Sequence, residues 1–462
     1  METRIVRIPG GNLLGRTAGG DDEKSSMERW DVERATSGSE SSEEALRRLG
    51  EAAYHLRTSD TPVGFPTETV YGLGADATRS GAVRGIYAAK GRPSDNPLII
   101  HVSDLEMLRA VMQQPGSESR DGDDDPIPLR YKALIDRFWP GPLTILLPNA
   151  DPSKLAPEVT AGLPTFGVRM PSTPLARTLI KLAGVPLAAP SANASTKPSP
   201  TTAQHVKHDL DGRIELILDG GACSVGVEST VVDGLCDPPA VLRPGGVGID
   251  DIRSCPGWEG VVKAYRDHAD EGKSAPRAPG MKYKHYSPRA RVVLYEASLA
   301  GEGLAPADTE MACAVEGSAG QQQQQQQQQG PPSRKIGVIR TQRWKTAAAG
   351  LPTDGDLRTA ADDATGQQQQ QQQDGDEAQP ETPYSTLLEG RLVDGKGQAI
   401  GYVMDIDLGK DTKGIAQGLF SALRELDLRG ADLIFVDGIE DEMDIAAAVM
   451  NRLRKAASEI RR

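Results

Sequence analysis

The sequence predicts an α/β protein in two folded domains, and three observations carry that expectation. The chain has 462 residues, more than one hydrophobic core usually holds. Short apolar runs alternate with stretches of helical period up to about residue 248 and again after residue 290. Between the two series lies a segment of Pro, Gly, Lys and Tyr with no amphipathic period, which reads as a linker.

Residues 1–40 are rich in Gly, Ser, Asp and Glu without periodicity and are expected to be a disordered N-terminal extension. An amphipathic helix follows, with Glu43 and Glu44 in its first turn and Leu46, Leu49, Ala53 and Leu56 recurring at helical spacing. Strands are expected at 62–65, 98–102, 143–147, 167–170, 186–189, 216–218, 229–232 and 240–243. Helices are expected at 82–90, 174–183 and 202–210, the second closed by Gly184. These elements define a first domain over 41–254, followed by a linker over 255–289. The second domain, 290–462, has strands at 292–295, 335–339, 399–406 and 433–436 and helices at 415–428 and 441–457. That alternation fits a smaller, Rossmann-like parallel α/β sheet. Two polyglutamine insertions, at about 297–333 and 352–382, carry the runs 321–329 and 367–373, which cannot bury a core and belong in loops. The acidic stretch 113–125 reads as a surface insertion.

Composition narrows the function classes. A net charge of −13 argues against gripping nucleic acid over the whole surface, and leaves room only for a local basic pocket and a weak RNA contact. Cys223, Cys236, Cys255 and Cys313 are widely spaced and form no Cys-x-x-Cys pair, so neither a zinc signature nor a disulfide framework is present. No long apolar run reads as a membrane span, and no basic segment followed by an apolar one reads as a secretory signal. The expectation is a cytoplasmic protein. Arg4, Arg7 and Arg16 leave an additional organellar pool open, although Asp21, Asp22 and Glu23 follow them and targeting peptides are poor in acid.

The chemistry gathers where apolar runs end. Residues 65–76 pack Thr67, Glu68, Thr69, Gly72 and Gly74 into one turn, in which the hydroxyls donate and accept and the glycines allow close backbone approach. A Thr-capped helix start is the plain alternative. Neither a dinucleotide fingerprint nor a P-loop is present. Further on, Lys90 and Arg92 stand at a helix end with Asn96 and His101 beyond, cations that either offset the helix dipole or meet phosphate oxygens. Thr165 and Arg169, Ala189, Ser191 and Ser199, and Ser229 and Arg243 each sit at or near the end of an apolar run, the edge at which α/β sheets bind ligands. An arginine inside an apolar segment needs an anionic partner, either a ligand or an internal carboxylate such as Glu228.

The strings PTETVYGLGADA, KGRPSDNPLIIHV, FWPGPLTILL, FGVRMP, APSAN and VESTVVD followed by VLRPGG, in that order, resemble the YrdC-like family of threonylcarbamoyl-AMP synthases over residues 42–248. The linker PGMKYKHYSP and the tail strings LFSALRELD and AVMNRLRKAAS are similar to the longer, two-domain members. The resemblance implies a YrdC-like twisted open mixed sheet with helices. It also implies a nucleotidyltransferase that joins L-threonine, bicarbonate and ATP into threonylcarbamoyl-AMP and releases pyrophosphate. A separate threonylcarbamoyl transferase would then use the product to modify a tRNA adenosine next to the anticodon. By that resemblance threonine meets Thr69, His101, Arg169, Ala189 and Ser229. ATP, with Mg2+ carried in on it and no protein metal site, meets Arg92, Asn96, Thr165, Ser191, Ser199, Arg243 and Tyr286. Lys90 and Arg92 are the expected catalytic cations. Independently of the resemblance, the composition of the linker, with Lys282, Tyr283, Lys284, His285 and Tyr286 after the Pro279-Gly280 step, suggests a lid that closes over the nucleotide; the alternative is that these side chains dock the second domain onto the first. The competing class is an RNA-binding module of the same fold without catalysis.

Overall fold

The computed structural model describes residues 1–9, 21–32, 40–92, 96–113, 125–265, 286–299, 334–359, 386–441 and 445–462. The polyglutamine runs, the centre of the acidic stretch and the lid residues Lys282, Tyr283, Lys284 and His285 lie outside these. Two compact units are present, one spanning Met1–His285 with Met443–Ala448 and one spanning Tyr286–Glu442 with Val449–Arg462.

In the first unit the chain runs β1 (Arg4–Arg7), α1 (Asp21–Glu28), α2 (Glu40–Thr58), β2 (Val63–Phe65), β3 (Gly72–Asp76), α3 (Ser80–Lys90), β4 (Ile99–His101) and α4 (Leu105–Met112). It continues through α5 (Lys132–Phe138), β5 (Leu143–Pro148), α6 (Pro157–Thr160), β6 (Thr165–Arg169), α7 (Pro174–Ala183), β7 (Leu187–Ala188) and α8 (Ala203–Leu210). Then come β8 (Leu216–Asp219), β9 (Thr230–Asp233), β10 (Ala240–Arg243), α9 (Ile249–Arg253) and β11 (Val262–Lys263). The strands form one mixed sheet of 11 in the order β1-β8-β2-β3-β7-β4-β6-β5-β9-β10-β11.

Local chemistry accounts for the helices that cover it. Pro174 occupies the first turn of α7, and Gly184 ends that helix at a φ of 67°, donating its N–H to Ile180 O at 3.1 Å. The apolar face of α2, built from Ala45, Leu49, Ala52, Ala53 and Leu56, buries against Leu175, Leu179 and Ile180 of α7. Gly85 of α3 lies so near the chain at Asp60 that a Cβ there would stand 1.9 Å from Asp60 O, which fixes how closely α3 packs.

Three findings depart from the sequence reading. Residues 4–7, expected to be disordered, form an edge strand parallel to β8, with Arg4 opposite Leu216. The Thr3 hydroxyl donates to Ile214 O at 2.5 Å and accepts from Gly212 N at 2.9 Å, and Ile8 is buried, so the segment closes an otherwise open sheet edge. Beyond residue 254 the first unit continues: Cys255 and Trp258 are buried, and β11 pairs in parallel with β10. Finally, half of the 65–76 turn is the strand β3, antiparallel to β2.

The second unit comprises β12 (Arg291–Tyr295), β13 (Arg334–Arg340), β14 (Arg358–Thr359), β15 (Leu387–Val393), β16 (Ala399–Asp407), α10 (Thr412–Leu428), β17 (Leu433–Asp437), α11 (Ala446–Ala456) and β18 (Glu459–Arg461). Strands β16, β13, β17, β12 and β18 form the parallel series, and β15 and β14 add an antiparallel edge. Leu419, Leu423 and Leu426 of α10 and Val449 and Leu453 of α11 are core residues. Among the described residues no helix is long and apolar enough to cross a membrane.

The segment after α1 is held as firmly as a core element. Trp30 is 5% exposed, donates its backbone N–H to Asp104 Oδ2 at 3.0 Å and its indole N–H to Thr178 Oγ1 at 3.1 Å, and lies 3.9 Å beneath the Arg177 guanidinium. Trp30→Ala should therefore destabilise the protein by about 3 kcal/mol in denaturant unfolding, as loss of a buried tryptophan does, whereas an unstructured extension would give no change.

Candidate active site

Strands β4 and β6 run side by side in parallel, with His101 opposite Arg169 at their shared exit. Strand β7 passes β4 antiparallel, and the amide of Ala189 just beyond it donates to Ile99 O at 3.0 Å. The turn between β2 and β3 arrives at the same place. Thr67 gives that turn its shape: its hydroxyl lies 2.9 Å from Thr69 Oγ1 and donates to Val70 O at 2.7 Å. Amides of the incoming 225–226 loop pin the turn, Val225 N to Glu68 O at 2.8 Å and Gly226 N to Thr69 O at 3.0 Å. Gly72 bridges Ser191. A reason for glycine at 74 beyond the expected one is packing, since a Cβ there would stand 2.7 Å from the Phe65 ring, while at 72 it would be a tight 3.2 Å.

Arg169 is 3% exposed, and its Nη1 donates to Thr69 Oγ1 at 2.8 Å and stands 3.8 Å from Glu68 Oε1. Glu68, rather than the suggested Glu228, is thus the carboxylate beside this arginine. Glu228 accepts from the Ser199 hydroxyl at 2.5 Å. Burial pulls the Arg169 pKa down, and burial together with Arg169 holds His101 well below the usual histidine range, so the imidazole is neutral. Ser229 adjoins Thr144 Oγ1 at 2.7 Å and accepts from Arg243, whose Nε and Nη2 reach Ser229 O at 3.1 and 2.8 Å. Gly245 permits this closeness, because a Cβ there would lie 2.2 Å from the Ser229 carbonyl carbon and the Thr230 nitrogen.

Several buried polar atoms of these residues have no hydrogen-bond partner within the protein: Glu68 Oε1, Arg169 Nε, His101 Nδ1 and Asn96 Oδ1. Unpaired groups of this kind cost stability, and their concentration beside one strand pair is the mark of a place prepared for a ligand.

The remaining expected residues are distributed around this centre. Lys90 is buried at the end of α3 and donates to Ser191 O and, at 2.7 Å, to Asn193 O, so it ties down the 191–193 loop as well as supplying charge. The Ser191 hydroxyl donates to Asn193 Oδ1 at 2.5 Å. Arg92 follows the left-handed cap at Gly91 and is half-buried. Thr165 opens β6 and Asn96 precedes β4, so both lie toward the strand entrance, about 13 Å from the Arg169 end for four strand residues. A ligand reaching both ends is longer than an amino acid. Tyr286 is a different case. It belongs to the second unit, is buried there, and packs its ring 5.2 Å from that of Phe420. The first unit assembles the other named residues without it.

The sequence reading passed over Glu68 as one polar group of a turn, and passed over Thr144 and Cys223. Thr144 was findable as a hydroxyl inside the apolar run 143–147. An isolated cysteine gives no such signal. Among the described residues no group of three His, Cys, Asp or Glu side chains is placed to hold a metal ion.

Comparison with known proteins follows this geometry. A family profile described as "Telomere recombination" matches residues 56–245, and one described as "Threonylcarbamoyl-AMP synthase, C-terminal domain" matches residues 247–458. The chain is similar to the threonylcarbamoyl-AMP synthase of Schizosaccharomyces pombe, 42% identical over 430 residues, covering 90% of each chain. It is also similar to that of Halorhodospira halophila, 32% identical over 174 residues, covering 37% of this chain and 83% of the relative. Among solved structures, Sua5 of Pyrococcus abyssi complexed with L-threonine superposes with a TM-score of 0.66 at 34% identity, covering 90% of this chain and 96% of that one.

The neutrality of His101 has a measurable consequence. Its pKa is depressed in the folded state, so the unfolded chain binds a proton near 6.5 that the folded chain refuses, and stability is lost as pH falls below that value. The protein should therefore be less stable at about pH 5.5 than at about pH 7.5, with this group contributing to the loss. Denaturant unfolding at both pH values should show that part of the difference missing in a His101→Gln variant.

Proposed function

The chain belongs to the threonylcarbamoyl-AMP synthase family, in its two-domain form, and on that premise we propose how its first unit makes threonylcarbamoyl-AMP from L-threonine, bicarbonate and ATP. The observation that carries the reading is the buried Arg169, held by Thr69 and Glu68 with its Nε unpaired. A fixed guanidinium with an open donor suits an amino acid carboxylate, and Thr69 and Ser229 beside it suit a small hydroxylated side chain. Neutral His101 and the Ala189 backbone border the same space.

The reaction balances in two steps. Threonine ammonium and bicarbonate give the carbamate, one water and one proton. A carbamate oxygen then bonds the α-phosphorus of ATP as the bond to the β-phosphate oxygen breaks and pyrophosphate leaves. No covalent enzyme intermediate is required, so the protein contributes position and charge. Arg92 and Arg243 would meet the phosphates as negative charge shifts toward the leaving group. Lys90 would act partly through the 191–193 loop, which carries Ser191 toward the nucleotide. Ser199, Asn96 and Thr165 complete the nucleotide side, and magnesium would arrive as part of the ATP. The burial of Tyr286 in the second unit gives no support to its role as a nucleotide ligand. The reading places the enzyme in the cytoplasm and its product in the hands of a separate threonylcarbamoyl transferase acting on tRNA.

Purified protein should release pyrophosphate from ATP only when both L-threonine and bicarbonate are supplied; turnover without threonine, or none at all, would remove the reading. Arg169→Ala should cost about 2–4 kcal/mol of threonine binding in calorimetry, and Arg169→Lys nearly as much because the two-pronged donor is lost. Unchanged threonine affinity in a folded Arg169→Ala variant would exclude the carboxylate assignment.

A further inference from the structure

In the scheme above Glu68 does no more than stand beside Arg169. Its side chain is 7% exposed, and Oε2 is held by the amide of Ser172 at 3.1 Å, which fixes the direction in which Oε1 points. Oε1 itself has no hydrogen-bond partner. The Arg169 guanidinium lies 3.8 Å from it, beyond hydrogen-bond distance, because Nη1 is already directed at Thr69 Oγ1 at 2.8 Å. The pair therefore attracts across a gap and leaves both members incomplete, an acceptor at Glu68 Oε1 and a donor at Arg169 Nε.

Other groups close to this carboxylate do not supply the missing proton donor as a charge. Cys223 is buried beside it, and burial first, then the Glu68 charge, raises the thiol pKa so that it stays protonated and neutral. His101, opposite Arg169, is neutral as well. The open acceptor and open donor are the complement of a free α-amino acid, whose ammonium donates and whose carboxylate accepts. A single zwitterion would satisfy both orphaned atoms at once.

We infer that Glu68 Oε1 receives the α-ammonium of L-threonine while Arg169 receives its carboxylate, so that Glu68 selects an amino acid over an acid lacking the amine. This assignment rests on the reading of the site as a threonine site. It adds a positioning role, since the nitrogen held by Glu68 is the atom that must become the carbamate nitrogen.

The test compares two probes by calorimetry, L-threonine and 3-hydroxybutyrate, the same acid without the amine. Wild-type protein should bind threonine at least tenfold more tightly. In Glu68→Gln that ratio should fall roughly tenfold toward equality, with affinity for 3-hydroxybutyrate and the melting temperature retained, as expected for loss of one charge-assisted contact. An equal loss for both probes would show that Glu68 only holds Arg169 in place, and unchanged threonine affinity would also overturn the assignment. If Glu68→Gln does not fold, Glu68→Asp keeps the charge but withdraws it by one methylene and must lower the ratio too; an unaltered ratio there rejects the inference. Failure of wild-type protein to bind threonine at all would instead remove the synthase reading beneath it.

Discussion

A guanidinium taken out of water costs several kcal/mol unless acceptors answer it, and the first unit is arranged around answering that of Arg169. Each answer comes from elsewhere in the sequence. Thr69 and Glu68 belong to the turn between β2 and β3, that turn keeps its shape through Thr67, and amides from the 225–226 loop clamp its outer side. Strand β6 brings Arg169 out beside His101 because β4 runs parallel to it in register. Because the supports come from separate stretches of chain and Thr69 supplies the direct hydrogen bond, the geometry is stiff. Stiffness is what a site needs when its contribution is position and preformed charge.

The second unit uses buried charge to a different end. Asp437, at the exit of β17, accepts from the amides of Thr341, Arg343 and Trp344 at 3.0–3.3 Å and from the Thr341 hydroxyl and Arg343 Nε at 3.0 Å. Asp405 in β16 accepts from Arg340 Nε and Nη2 at 2.9–3.0 Å and from the amide of Ala348 at 2.8 Å. These carboxylates sit at the strand ends where α/β sheets often bind ligands. Here donors of the same unit take them up, shaping the 341–348 segment. The same sheet edge in the first unit leaves Glu68 Oε1 and Arg169 Nε open.

Most of the first unit's sheet could be read from the sequence because its strands are short apolar runs punctuated by Gly and Pro, and its polar residues collect where those runs stop. Thr69, His101, Arg169, Ser229 and Arg243 come together for that reason. What escaped notice depended on partners far along the chain. Residues 4–7 look like the start of a polar extension until β8 supplies a strand edge, and Trp30 looks like a stray aromatic until Asp104, Thr178 and Arg177 surround it. Glu68 was in view within its motif, but only the 3.8 Å approach to Arg169 and the fixing of its other oxygen by Ser172 distinguish it from a turn residue. Tyr286, expected from the resemblance to meet ATP, has its ring buried 5.2 Å from that of Phe420, a contact that nothing in the linker's composition announces.

The pairing of β1 with β8 also bears on how the protein is made. Leu216, the partner of Arg4, is synthesised more than two hundred residues after it. At the usual pace of synthesis that delay is on the order of ten seconds or more, during which the first strand has no edge to join. Residues 4–7 are therefore installed only after β8 has been made. The nascent chain must carry them unpaired while most of the sheet's other strands emerge.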